Sequence, residues 1–370
     1  MFNILFLCPL GRQHREWRLA AAAGVDPRIN IVIRRSTELT RDELLTLVRD
    51  ADALITERTG EIDREIIAAG ARLRVIHRHG SLAHDIDLAA AREVGVPVCL
   101  QPMRGTIAVA ENVMLQMLAV LRRAMPLQSV LRQAPESFAI GDPPYAPRRT
   151  SEDVFAFNWS RQTRVGLLQN RTVGVLGFGE IGAELSRRLR GWGCSVLYSK
   201  RNRLPEAVEV DLGIDYRDQE SLLRESDVVV CLLPYFAETD LWLNAARIAL
   251  MKPGAVLIGS GSGSVIDEHA LATALRDGYL AGASLDTYEW EPVSAENPLL
   301  ALANSDPNAN VFLLPHIGSC NDVKSTQFED LYGNVWSVLN GGAPVGRIAL
   351  KQKRPQQSLR PFHFDAQDRT

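Results

Sequence analysis

A short apolar segment near the middle of the chain runs directly into three closely spaced glycines. The segment reads TVGVLGFGEIG, with the glycines at Gly177, Gly179 and Gly182. In a strand–turn–helix unit, the first glycine of this spacing permits a tight turn and the second lets the backbone approach a pyrophosphate. The third lets the following helix pack closely on the strand. A helical pattern over residues 181–189 and a second strand, CSVLY (194–198), complete a unit that predicts a dinucleotide-binding turn.

Short apolar runs alternate with amphipathic stretches along the rest of the chain, a pattern that predicts parallel α/β sheets. In the first part we expect strands at residues 3–8, 29–33, 52–56, 73–77 and 97–100, with helices near 12–23, 40–50, 62–70 and 85–94. A long helix from Thr106 to Arg123 and a proline-rich exposed arm over 135–153 follow. The second part has expected strands at 172–176, 195–198, 227–233, 255–259, 280–286 and 310–314, then a helix from Ser319 to about Leu339.

Composition argues against several classes of partner. The chain has 370 residues, which favours two domains, and a formal net charge of −3 without a long basic run, so we expect no nucleic acid partner. The longest apolar runs are too short to span a bilayer, and the N-terminus is a better strand than signal peptide, so we expect no membrane contact. We expect a cytoplasmic protein with no metal site, because the cysteines lack metal-ligand spacing and are expected to be buried reduced thiols: Cys8, Cys99, Cys194, Cys231 and Cys320.

Several segments follow one another in an order that, taken together, resembles the D-isomer-specific 2-hydroxyacid dehydrogenases. They are HGSLAHDIDLAAAREVGVPVC (79–99), VAENVMLQMLAVLRR (109–123), GFGEIG, LLPYFAET (232–239), and AGASLDTYEWEP (281–292) with LPHIGS (314–319). The resemblance implies an α/β protein with two Rossmann-like domains. These are a flavodoxin-like substrate domain (1–103 plus 319–350) and a doubly wound nicotinamide-binding domain (104–318), followed by a tail (351–370). It also implies a homodimer.

The resemblance further implies hydride transfer between a nicotinamide cofactor and a small 2-hydroxy or 2-oxo acid, or a related carbonyl compound. His316 matches the histidine that exchanges the hydroxyl proton, a task that suits an imidazole titrating near neutrality in both directions. Glu291 matches the carboxylate that pairs with this histidine, although Glu289 is a competing candidate. Such a partner orients the ring and favours its protonated form.

One side chain that the resemblance calls for is missing. Family members usually carry an arginine in the turn that here reads IGSGSGSVID (258–267), and alignment places Ser262 at its position. A serine cannot form the paired, charged hydrogen bonds that a guanidinium gives a carboxylate. We therefore expect either a relocated cation, with Arg104, Arg78 or His79 as candidates, or a site rebuilt for another substrate. A catalytically impaired nucleotide-binding regulatory protein is the alternative function.

The remaining candidate residues line the expected cleft. The substrate-binding candidates are His79, Gly80, Ser81 and Arg104. The cofactor-binding candidates are Gly177, Phe178, Gly179, Glu180, Ile181, Gly182, Ser199, Lys200, Arg201, Leu233, Pro234, Thr239, Gly259, Ser260, Gly261, Asp286, His316 and Gly318. NAD sites place an acid at the end of the second strand, but here that strand ends in Ser199 followed by Lys200 and Arg201. This favours NADP(H), with NAD(H) possible.

Overall fold

A computed structural model of the chain describes residues 1–8, 26, 28–57, 60–132, 149–153, 157–158, 162–321 and 327–348. Two parallel β-sheets with helices on their faces make up this part of the chain. The α/β class predicted from the alternating pattern is therefore confirmed. The helix expected near 12–23, most of the arm 135–153 and the tail 351–370 lie outside the described residues.

The first sheet has five parallel strands in the order β2-β1-β3-β4-β5, the flavodoxin-like order. The strands are β1 (Phe2–Cys8), β2 (Ile29–Arg35), β3 (Ala53–Thr56), β4 (Val75–His79) and β5 (Val98–Gln101). Its helices are α1 (Arg41–Arg49), α2 (Arg64–Ala69) and α3 (Leu88–Glu93). Each of these helices begins at a polar side chain that accepts a hydrogen bond from a backbone N–H of the first turn, the expected way to satisfy a helix N-terminus.

The second sheet has seven parallel strands in the order β12-β11-β10-β9-β6-β7-β8. The strands are β6 (Thr172–Leu176), β7 (Ser195–Ser199), β8 (Asp215–Tyr216), β9 (Val228–Cys231), β10 (Val256–Gly259), β11 (Gly282–Leu285) and β12 (Val311–Leu313). The helices are α6 (Glu180–Leu189), α7 (Glu206–Leu212), α8 (Gln219–Glu225), α9 (Ala245–Ile248), α10 (Glu268–Arg276) and α11 (Pro298–Ser305). The chain reverses its direction of winding between β6 and β9, which is where doubly wound sheets bind ligands, beyond the carboxyl ends of the strands.

Three further helices connect the two sheets. They are α4 (Arg104–Leu121) and α5 (Ala124–Arg132), which follow β5, and α12 (Gln327–Leu339) after β12. Within the described residues, α4 is the one helix whose length and mean hydropathy of 1.2 would allow a membrane span, but half of it is buried inside the protein. A partly buried apolar helix of this kind is common in protein cores, so α4 is weak evidence for a membrane.

The last helix returns to the first sheet. Leu331, Tyr332 and Val335 of α12 pack in one apolar cluster with residues of β1 and β4. The side chain of Asn334 lies 2.7 Å from His77 Nε2 on β4. These contacts agree with assigning the C-terminal helix to the first domain, although the domain limits stay a prediction. Helix α12 is described from Gln327, and residues 322–326, on which part of the expected helix falls, lie outside the described residues.

Two of the cysteines differ from expectation, since Cys194 is only half-buried and Cys320 is exposed. All five are free, and Cys8, Cys99 and Cys231 are buried, but Cys320 is exposed. The prediction of a buried thiol at this position was wrong. Cys320 follows the end of the turn after β12, so the apolar run beside it does not carry it into the core.

Candidate active site

The glycine turn between β6 and α6 has the geometry of a nucleotide cradle. Gly177 has a φ of +82°, and a Cβ there would lie 2.8 Å from the backbone carbonyl of Leu232. Only glycine meets both conditions without displacing the backbone of the neighbouring strand end. A Cβ at Gly182 would lie 2.9 Å from the ring of Phe178, so the helix rests directly on this buried aromatic side chain. Both glycines are therefore required by the close packing of the turn itself.

Helix α6 directs its N-terminus toward the same turn. Gly179 is the residue that precedes its first turn, and as a glycine it has no side chain to cap the helix. The N–H groups of the first turn, including those of Ile181 and Gly182, have no intrahelical acceptor at a helix start and can therefore bind an anion such as a pyrophosphate. The residues present fit a dinucleotide. The Glu180 side chain points away from this anion position, since its carboxylate accepts a hydrogen bond from the Ser81 N–H of the first sheet.

Two further turns at the carboxyl edge of the sheet approach each other closely. A Cβ at Gly261 would lie 2.6 Å from the carbonyl oxygen of Leu233, so the turns after β9 and β10 touch backbone to backbone. The Thr239 hydroxyl donates to the carbonyl of Pro234 at 2.8 Å and holds the first of these turns. The adjacent sites Gly259 and Ser260 are buried at the end of β10.

His316 and Glu291 form a close pair beside these turns. His316 Nδ1 lies 2.7 Å from Glu291 Oε2, and Glu291 Oε1 accepts from the Tyr288 N–H at 3.0 Å. Burial raises the pKa of the Glu291 carboxyl, but the hydrogen bonds from His316 and Tyr288 outweigh it and hold the pKa below its ordinary value. The group is therefore a carboxylate near neutral pH. The competing Glu289 donates its backbone N–H to Glu268 Oε1 at 3.0 Å instead.

The backbone at the histidine is strained and is held by a buried acid. His316 has a φ of +54°, a left-handed conformation that costs a non-glycine residue about 1–2 kcal/mol. Asp286, directly after β11 and 3% exposed, accepts from the Ile317 N–H at 2.9 Å and from the Gly318 N–H at 2.8 Å. A Cβ at Gly318 would lie 2.6 Å from this carboxylate. Asp286 thus fixes the turn that presents the imidazole.

Ser262 lies at the turn after β10, half-buried and in an extended backbone conformation. Its N–H donates to the Leu233 carbonyl at 2.9 Å. The next residue, Gly263, is so close to the backbone of Tyr288 that any side chain there would collide with it. Both neighbours of Ser262 are therefore held by backbone contacts, and the turn presents position 262 in one fixed orientation.

Two of the three candidate replacement cations are enclosed within the first sheet. Arg78 is buried and donates to the Glu57 carbonyl and to the Asp85 carboxylate. The expectation that Arg78 could bind a substrate was wrong, because both bonds hold its guanidinium inside the protein. His79 is also buried, and its Nδ1 lies 3.2 Å from Glu57 Oε1. Gly80 extends the pairing of β4 with β5 by one residue, since its N–H donates to the Gln101 carbonyl at 2.8 Å.

Arg104, the third candidate, is the first residue of α4 and is partly exposed. Its Nη2 lies 2.9 Å from Asp330 Oδ2 on α12. A surface ion pair of this kind contributes about 0–1 kcal/mol, so an incoming carboxylate can compete for the guanidinium. A Cβ at the next residue, Gly105, would lie 3.9 Å from the Ser319 Cβ, three residues after His316. Arg104 therefore begins its helix close to the histidine turn.

The expected cofactor-selecting cations follow β7. Ser199 is buried, and its carbonyl accepts from the Gly177 N–H at 3.0 Å, which fixes the strand end against the glycine turn. Lys200 is half-buried and Arg201 is exposed, with its guanidinium 5.6 Å from the ring centroid of Phe236. Arg203 is instead bound by Glu209 through two hydrogen bonds of 2.8 Å, so it is part of the α7 packing.

Comparisons with known proteins match this geometry. A model of the D-isomer specific 2-hydroxyacid dehydrogenase NAD binding domain matches residues 147–318. A glyoxylate reductase of Thermococcus onnurineus is 34% identical over 323 residues, which cover 86% of this chain and 90% of the relative. A glyoxylate reductase of Thermococcus kodakarensis is 35% identical with the same coverage. The chain belongs to the D-isomer-specific 2-hydroxyacid dehydrogenase family.

Solved structures share the fold of this chain. A Pyrococcus horikoshii protein, 26% identical, superposes with a TM-score of 0.52 over 94% of this chain and 95% of its own. D-mandelate dehydrogenase of Rhodotorula graminis, 22% identical, has the same fold with a TM-score of 0.52, covering 94% of this chain and 97% of its own. This dehydrogenase is thus a hydride-transferring oxidoreductase that binds a nicotinamide cofactor and acts on the CH–OH group of a small molecule.

Sequence reasoning missed several polar contacts of this dehydrogenase. Gln116 of α4 is fully buried and donates from Nε2 to the Ser260 hydroxyl at 2.9 Å. Asn112, one turn earlier, lies 3.1 Å from where a Cβ at Gly318 would be. A polar residue inside the apolar stripe of a buried helix was the available signal for both. Glu57, the acidic partner of His79, follows β3. It belongs to no recognisable motif, so the sequence did not indicate this contact.

Proposed function

We propose that this dehydrogenase reduces a small 2-oxo acid, or a related carbonyl compound, with NADPH, and that His316 supplies the proton. The observation that carries the proposal is the 2.7 Å contact between His316 Nδ1 and Glu291 Oε2 beside the nucleotide turn. Because Nδ1 is bound to the carboxylate, Nε2 is the ring atom left to hold the exchangeable proton. Glu291 orients the ring and fixes which ring nitrogen faces the substrate.

The proton and electron movements follow from this arrangement. A nicotinamide, when bound, would supply a hydride to the carbonyl carbon. His316 gives its Nε2 proton to the carbonyl oxygen as the carbon–oxygen double bond becomes a single bond, and the ring becomes neutral. In the reverse direction, neutral His316 takes the hydroxyl proton. Asp286 acts indirectly, since it holds the backbone on which His316 stands.

We assign the substrate carboxylate to Arg104. The support is its place at the start of α4, near the turn that carries His316, and the weakness of its surface pair with Asp330. Ser262 and the strand end formed by His79, Gly80 and Ser81 complete the proposed substrate site. The N–H groups of Gly80 and Ser81 are not available to the substrate, because they donate to Gln101 and Glu180. Arg104 lies at a different place from the customary arginine, so it can neutralise the acid without also polarising the carbonyl. A low basal rate follows from this proposal.

The first experiment measures turnover of the wild-type protein on a panel of 2-oxo acids by the change in absorbance at 340 nm. Glyoxylate leads the panel because the two relatives are named glyoxylate reductases. We expect at least one acid to be reduced, and faster with NADPH than with NADH. Tight binding of NADPH without turnover on any member would contradict the proposal and favour a regulatory nucleotide-binding protein, the alternative suggested by Ser262.

The preference for NADPH gives a separate prediction. We propose that Lys200 and Arg201 bind the 2′-phosphate, and a charge-assisted bond of this type is worth about 1.5–3 kcal/mol. Arg201→Ala should therefore raise KM for NADPH about 10- to 100-fold and leave KM for NADH unchanged. Arg217→Ala is the matched control, because it removes an arginine that pairs with Glu225 at 2.9 Å at the same edge of the sheet. Equal effects on both cofactors would contradict the assignment.

We further propose a division into a substrate domain (1–103 plus 319–350) and a nicotinamide-binding domain (104–318), acting as a cytoplasmic homodimer. Apolar side chains that stay exposed on α4 and α5, Leu115, Met125 and Leu131, support association of two copies. Sedimentation measurements test the dimer.

The five free cysteines agree with a reducing compartment, which supports the cytoplasmic location.

A further inference from the structure

One tripeptide of the described residues packs the first sheet of the dehydrogenase against the second. Gly80, Ser81 and Leu82 follow β4 of the first sheet, and all three are buried. The Leu82 side chain does not belong to the core of its own sheet. It packs instead in the apolar cluster of the second sheet, with Ala110 of α4 and Phe178 of the nucleotide turn. The tripeptide is therefore an anchor of the first sheet on the second.

Two side chains of helix α6 bind the backbone of Ser81. Its N–H donates to the Glu180 carboxylate, and its carbonyl accepts from Arg187 Nη2 at 2.7 Å. Arg187 is itself held by Glu184 at 2.5 Å. Glu180 is only 4% exposed, so its carboxylate is removed from water and needs such a partner. We refer to the bonds of Ser81 with Glu180 and Arg187 as the Ser81 contact.

The chain leaves room for this contact. A Cβ at Gly80 would lie 3.1 Å from Glu180 Oε2, and Gly80 has a φ of +159°, near the extended region. A larger residue at position 80 would therefore press on the Glu180 carboxylate. Because Glu180 is the first residue of α6, its carboxylate could otherwise turn toward the N–H groups where the pyrophosphate is expected. The Ser81 N–H draws it to the other side.

We propose that Glu180 is a positioning residue that binds Ser81 to the nucleotide-binding helix and so fixes the width of the substrate cleft. His316 stands on the second sheet and Ser81 on the first, and the Ser81 contact joins the two sheets. The kinetic consequence rests on the proposed function, whereas the contact itself does not.

Hydrogen exchange at the Ser81 amide tests the contact directly in the full-length protein. We expect Glu180→Ala to speed exchange of this amide at least about tenfold, because its acceptor is removed. Glu180→Gln keeps a carbonyl oxygen and should restore most of the protection. Glu111→Gln is the matched control, since it removes an exposed carboxylate that pairs with Arg188 of the same helix at 3.1 Å. If the alanine variant fails to fold, Glu180→Asp, one methylene shorter, replaces it.

Kinetics supply a second readout. For the acid of the panel that is reduced best, we expect Glu180→Ala to raise KM about tenfold and to leave kcat within about threefold of the wild-type value. A more mobile Ser81 segment weakens substrate binding more than it slows the chemical step. Glu180→Gln should return KM toward the wild-type value. Unchanged exchange at Ser81 in a folded alanine variant, or equal acceleration in Glu111→Gln, would overturn the proposal. If no acid is turned over by the wild-type protein, the proposed function fails while the exchange result still decides the contact.

Discussion

Replacing His316 with glutamine is expected to lower kcat for the reduction about 100- to 10,000-fold, the usual contribution of a positioned acid or base. Glutamine can still bond to Glu291 but has no proton to give at neutral pH. The nucleotide turn is built from other residues, so the dissociation constant for NADPH should change little. Initial rates at 340 nm and fluorescence titration with NADPH measure the two quantities.

His269→Gln is the control for this prediction. It removes an exposed histidine of α10, and His269 lies outside the residues assigned to the site. We expect wild-type rates from this variant. If His316→Gln keeps wild-type kcat with the substrate saturating, His316 does not donate the proton and the assignment of the pair with Glu291 is lost.

Introducing an arginine at position 262 is expected to raise kcat/KM for a 2-oxo acid about 100-fold or more, the magnitude associated with one electrostatic stabiliser of a developing oxyanion. Ser262 has φ −80° and ψ 132°, a conformation that any residue adopts. The backbone contacts of Gly261 and Gly263 hold the turn in place, so we expect a longer side chain at position 262 to leave the turn unchanged. A guanidinium there would both bind the acid and polarise its carbonyl.

Ser264→Arg is the matched control for position 262, because it adds the same charge two residues later on the same turn. Its effect on kcat/KM should be small. If Ser262→Arg folds and binds NADPH but gives no gain, the serine does not limit turnover. Arg104 alone would then supply the cation that this family usually places at position 262.

The fold was largely predictable because its signals are local. Gly177, Gly179 and Gly182, together with the strand before them and the helix after them, predict the nucleotide turn. Each of the parallel strands except one is a visible apolar run. The exception, β8, has only two residues, Asp215 and Tyr216, and carries no pattern of its own. The pairing of His316 with Glu291, rather than with Glu289, followed from motif positions that the contact distances support.

The partners of individual charges could not be predicted in the same way. Arg78 was a reasonable substrate cation until the structure placed the Glu57 carbonyl and Asp85 around it. The bond between Glu180 and Ser81 joins positions 99 residues apart in sequence. Such contacts depend on how the two sheets meet, and a single sequence carries no periodicity or spacing that reports this.

The anchoring of residues 317 and 318 by Asp286 has a consequence for the catalytic cycle. Imidazole, glutamate and aspartate all belong to the chain between β11 and the turn after β12, and none is contributed by the five-stranded body. Separation of the two bodies to let product escape would leave this acid–base assembly whole. Each new turnover would then require only reprotonation of the ring and fresh ligands, without rebuilding the proton donor.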